Sequence, residues 1–131
     1  MVFRSASIVL RLCGALALIL GLLFWSGNAL NLIPIHMLLG ILVVLSLWIV
    51  GIGQAFYSGG SWPLAGFALL LGLLVIVVGR TQSSLLVGSF HWVIRVVHLA
   101  LGLLAIRTGQ IAAARQQKSS VMRQEQPSQA A

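Results

Sequence analysis

Three histidines are the only residues in this 131-residue chain whose type and spacing suggest cofactor chemistry. His36 and His98 each precede a glycine by four residues, in the segments His36 to Leu42 and His98 to Leu104. Two imidazoles from different helices can hold a haem iron from both faces. Gly40 and Gly102, one helical turn further on the same faces, would let a flat macrocycle approach the backbone. The competing reading is that these histidines make helix–helix hydrogen bonds, and that the glycines allow close packing together with the small pairs Ala17/Gly21 and Ala68/Gly72.

His91, Arg95 and His98 follow one another at four- and three-residue intervals, which places them on one face of a helix. A face of that kind is costly in lipid, so it is expected to look into the bundle or a polar cavity. His91 and His98 lie roughly 10 Å apart along a helix axis, too far for both to ligate one ion. His98 would ligate iron while Arg95, His91 or Arg80, nearer the surface, meets the anionic haem propionates. For His91 the plainer alternative is an interfacial side chain beside Trp92.

The rest of the chemistry is limited by what is missing. There is no Asp, and the single Glu is Glu125 in the polar tail. Carboxylate proton relays, di-iron carboxylate sites, Ca²⁺ or Mg²⁺ cages and glycosidase-type catalysis all need carboxylates in the site, and are excluded. Cys13 is the only cysteine, which rules out an intramolecular disulfide and a cysteine metal centre. The net charge of +7 is spread along apolar segments and the tail instead of forming one basic face, which argues against nucleic acid and for membrane topology and anionic headgroups.

With 60% hydrophobic and 7% charged residues, the elements that position these side chains are membrane helices. Spans are expected at about 8–25, 33–52, 62–79 and 89–114, forming a four-transmembrane-helix bundle over 1–114. Pro34 and Pro63 suit helix starts, and the link from Ser58 to Ser61 is a turn. The first span lacks a small-residue cleavage site after Trp25 and reads as an uncleaved helix. Residues 115–131, rich in Gln and Ser, are expected to form a disordered polar tail.

Arg4, Arg11, Arg107, Arg115, Lys118 and Arg123 fall on the side of both termini, against Arg80 and Arg95 on the other. The positive-inside rule then places both termini in the cytoplasm of a bacterial-type plasma membrane. Ala17 to Leu23 resembles Ala68 to Leu74, and the two His-x-x-x-Gly segments recur in the same order, so the chain reads as two duplicated helical hairpins. Met37 reads as a packing residue, Trp48 as packing against a cofactor or lipid, and Gln54, Gln82 and Gln110 as boundary residues able to meet a quinone carbonyl.

At His36 and His98 the plan resembles the small four-helix membrane b-type cytochromes of the cytochrome b561-like group. The resemblance implies one haem b with His36 and His98 as axial ligands, and electron exchange with a quinone or small oxidant near the outer surface. The chain is shorter than that group and lacks the paired histidines of a two-haem relay. The alternative is a non-enzymatic membrane subunit or assembly factor of a larger complex. A small transporter or channel, whose cationic face would contact an anion, ranks third, because the spans show no broken helices and no carboxylates. The Gly- and Ala-rich spans are compatible with a homodimer.

Overall fold

A computed structural model describes residues 2–57 and 59–125, with the side chains of 119, 120 and 122–125 left aside. Four helices follow one another: α1 (Val2–Trp25), α2 (Ile33–Ala55), α3 (Trp62–Thr81) and α4 (His91–Glu125), with a short 3₁₀ turn at Leu30–Leu32. Each of the four is long and apolar enough to cross a membrane. Only 17–33% of each apolar window is buried inside the bundle, so most of the apolar surface must be covered by lipid. Leu12, Leu16 and Ile19 of α1 and Leu70, Leu73 and Val77 of α3 form part of that outer surface.

The helix starts follow local chemistry. α2 and α3 both begin with proline in the first turn, where the missing N–H costs nothing. Ser61 caps α3, its hydroxyl accepting from the Leu64 N–H at 3.3 Å. α4 runs past the expected end of the fourth span as one helix to Glu125. Ala112 to Lys118 are strong helix formers and no proline intervenes before Pro127. Helix thus covers residues 115–125 of the segment expected as a disordered tail, and residues 126–131 lie outside the described residues.

α2 and α4 form the inner diagonal, each packing on the three other helices, while α1 and α3 occupy the outer corners. Neighbouring contacts run in opposite directions along α1 and α2, since Gly53 meets Phe3 while Gly21 meets His36. Contacts between α2 and α4 run in the same direction, with His36 beside His98 and Val50 beside Gln116. Leu10, Val43, Val44, Leu47, Ala68, Leu71, Val75 and Ala105 form the middle of the core. A second layer of Ala6, Val50, Ala112 and Ala113 lies toward the end that carries the α2–α3 link.

Small residues set the helix spacing. A Cβ on Gly14 would come within 2.8 Å of Ile106, and one on Gly72 within 2.9 Å of Val44. Likewise Gly51 abuts the Ala68 methyl, and Gly109 abuts Leu10. These contacts are the close backbone approaches on which membrane helices rely when no hydrophobic force drives them together.

Candidate functional site

At the end of the bundle that carries the α1–α2 and α3–α4 links, α2 and α4 bring His36 and His98 face to edge. Their ring centroids are 6.3 Å apart with the planes inclined at 62°. Each ring is backed by a glycine of its preceding helix. A Cβ on Gly21 would lie 3.5 Å from His36 Cε1, and one on Gly79 would lie 2.9 Å from His98 Cε1. The edge of Phe24 packs on His36 with a centroid distance of 5.3 Å.

The Nδ1 atoms of both histidines are buried without a hydrogen-bond partner, as is the Trp48 indole nitrogen, while the His36 ring also interacts with the Ala17 backbone. An unmet buried nitrogen costs about 1–3 kcal/mol, which makes this pair the candidate site. Two imidazole nitrogens at about 2 Å from one metal, with roughly 1 Å from each nitrogen to its ring centre, give ring centres about 6 Å apart. The observed centroid spacing is of that size, but the rings stand face to edge.

Gly40 and Gly102 lie one turn beyond the histidines on the core-facing stripes of α2 and α4, yet a Cβ on either would meet nothing within 4 Å. The Val43 and Val44 layer immediately below is buried. The inner seam is therefore open directly beneath the histidine pair and closed one turn further in. No group of three or more His, Cys, Asp or Glu side chains gathers among the described residues. Two donors alone do not complete a tetrahedral zinc cage, and suit a metal that brings its remaining ligands with it.

No family model, curated protein or solved structure matches this chain. The likeness to b-type cytochromes therefore has the four-helix architecture and the two histidines as its whole content.

The other expected site residues separate into two groups. Arg95 is exposed and, with His91, lines a shallow concavity of about 470 Å³ at the α3–α4 link, together with Ser83, Gly88, Ser89 and Trp92. His91 Nδ1–H donates to the Leu85 carbonyl at 3.2 Å, which ties the link to the start of α4. Arg80 is exposed in the last turn of α3. His98 alone of the His91, Arg95 and His98 face reaches the bundle interior.

Among the glutamines, Gln54 is fully buried and its amide is consumed by the fold. Nε2 donates to the Ser61 and Gly51 carbonyls at 2.7 and 3.2 Å, and Oε1 accepts from the Ser61 N–H at 3.1 Å. Gln54 is thus a clamp on the α2–α3 link, at the opposite end from the histidines. Gln116 of α4 is buried against α2 at the same end, with Nε2 directed at the Val50 carbonyl at 3.5 Å. Sequence reading passed over Gln116 as part of the tail. The signal available was its spacing, since Gln54 to Gln116 repeats the spacing of His36 to His98. Gln82 caps α3 at the histidine end. Trp48, read as packing, presses its indole nitrogen against Gly72.

Proposed function

We propose that His36 and His98 hold a single haem b between α2 and α4, and that the protein exchanges electrons with a quinone or small oxidant at that end of the bundle. The supporting observation is the pair of adjacent imidazoles, set face to edge with centroids 6.3 Å apart and with both Nδ1 atoms buried and unpartnered. Gly40 and Gly102 leave the seam open where a macrocycle would lie. Bound there, the haem supplies one-electron chemistry.

The protein's own residues fix and shield. Gly21 and Gly79 let α1 and α3 press on the imidazoles and hold their planes, and Phe24 closes one side with an apolar edge. The Val43, Val44 and Leu47 layer seals the seam below from water, which favours the less charged redox state. With no carboxylate in the spans, the chain offers no acidic relay to couple proton movement to the electron. Gln82 is the one glutamine of the three that stands at this end, and is the candidate for a quinone carbonyl.

Two finer features support the same reading. Contacts repeat between the halves: Gly14 on Ile106 corresponds to Gly72 on Val44, and Gly21 on His36 corresponds to Gly79 on His98. Duplicated hairpins account for this, in a register that pairs Gly21 with Gly79; the Leu-rich match in the sequence had set Gly21 against Gly72. Arg4, Arg11, Arg107, Arg115, Lys118 and Arg123 outnumber Arg80 and Arg95, so the termini are cytoplasmic and the histidine end faces outward.

The test is the visible spectrum of detergent-purified protein, oxidised and dithionite-reduced, beside His36→Ala and His98→Ala. A sharp reduced α-band lost in both variants is expected. A colourless wild type from haem-replete cells would sink the proposal and favour a membrane subunit that uses these histidines for contacts with a partner.

A further inference from the structure

α3 has 20 residues and therefore spans about 30 Å, the thickness of the hydrocarbon core, so the link that follows it sits at headgroup depth. That link does not have the surface of an aqueous loop. Leu86, Val87 and Phe90 are 51%, 78% and 66% exposed, and Trp92 beside them is 57% exposed. Side chains of this kind, grouped on one short connection, belong in the interfacial region, with Trp92 at the boundary. The backbone is bent to present them: Leu86 takes φ 49° and Gly88 φ 100°, the first a left-handed conformation that costs a leucine free energy.

Inside this apolar rim lies the concavity that Arg95 and His91 line with Ser83 and Ser89. Arg95 carries a permanent charge, and the only acidic side chain of the sequence, Glu125, is at the far end of α4. Among the described residues, no side-chain carboxylate can reach it. A cation at headgroup depth, with hydroxyls beside it and exposed apolar side chains around it, matches a molecule with an anionic phosphate and attached acyl chains.

We infer that the α3–α4 concavity is a binding site for an anionic phospholipid, with the phosphate on Arg95 and the acyl chains along Leu86, Val87 and Phe90. The guanidinium donates to phosphate oxygens in a fork, Ser83 and Ser89 offer hydroxyl donors, and the rim covers the first methylenes of the chains. Nothing in this inference depends on what the His36 and His98 pair holds.

The experiment places the full chain in nanodiscs of phosphatidylcholine with increasing phosphatidylglycerol and reads lipid retention by native mass spectrometry and thermal unfolding. Wild type is expected to retain phosphatidylglycerol preferentially and to unfold at a higher temperature as its fraction rises. Arg95→Gln is expected to weaken that retention about tenfold or more, Arg95→Lys to weaken it less, and Arg80→Gln to leave it largely intact. Phe90→Ser tests the rim without touching charge, and is expected to reduce retention several-fold. Equal retention in wild type and Arg95→Gln would overturn the inference. So would inorganic phosphate reproducing the whole effect in phosphatidylcholine alone, which would make the ligand a small anion. Loss of a haem spectrum in Arg95→Gln with lipid retention unchanged would instead assign Arg95 to the haem propionates.

Discussion

The two ends of the inner diagonal are built from the same helices and treat their polar groups in opposite ways. At one end Gln54 and Gln116 are buried, and every polar atom of Gln54 is met by backbone. At the other, His36 and His98 are brought together with their Nδ1 atoms unmet, above an open stretch of seam. A polar group that the fold satisfies helps to hold the fold; the unmet histidine pair is the candidate site, although Trp48, whose indole nitrogen is also buried and unmet, shows that an unmet atom alone does not mark one.

The largest effect is expected at the glutamine end. Gln54→Leu leaves the Ser61 N–H and carbonyl without their buried partner, and should cost about 2–4 kcal/mol in a dodecyl sulfate unfolding titration. A loss below 0.5 kcal/mol, on the scale of a surface change, would show that the clamp is incidental. Gly53→Ala comes next, because its methyl would collide with the Phe3 ring and press on Gln116; about 1–3 kcal/mol is expected in the same titration.

At the histidine end the signs change. His98→Leu in cofactor-free protein removes an unmet buried nitrogen, so stability should stay within about 1 kcal/mol of wild type or rise. A fall of more than about 2 kcal/mol would make the histidine a structural element and end the contrast. Gly40→Ala gives the smallest effect, a gain of up to about 1 kcal/mol from helix propensity, since its methyl meets open space. The same variant of haem-loaded protein should show reduced cofactor content, read as absorbance per chain; unchanged content would place the macrocycle elsewhere.

Much of this was legible in the sequence, because lipid imposes a length and polarity rule that a soluble core does not. The starts at Ile33 and Trp62 were marked by proline, and the partnership of His36 with His98 by a repeated His-x-x-x-Gly. The glycines that back the imidazoles were not legible. Gly21 and Gly79 stand among leucines, and in a Leu-rich span several registers match equally well, so only packing against a particular side chain selects one. The continuation of α4 was hidden for another reason: Gln and Ser composition resembles a solvated tail, while the run of alanines before it is enough to propagate helix already begun in the membrane. Gln54 was visible, but its role was not, since a boundary glutamine and a loop clamp look alike until the Ser61 backbone is seen beside it.

The parallel placement of α2 and α4 has a consequence for biogenesis. His36 enters the bilayer with the second span, but its counterpart arrives only with the fourth, after α3 has returned the chain to the same side. The fourth span has a hydropathy of 1.5 against 2.4 to 2.5 for the others, so its insertion leans on the three helices already in place. Completion of the histidine pair therefore coincides with the last and least favourable insertion event. A nascent chain lacking the fourth span would carry one imidazole and no partner.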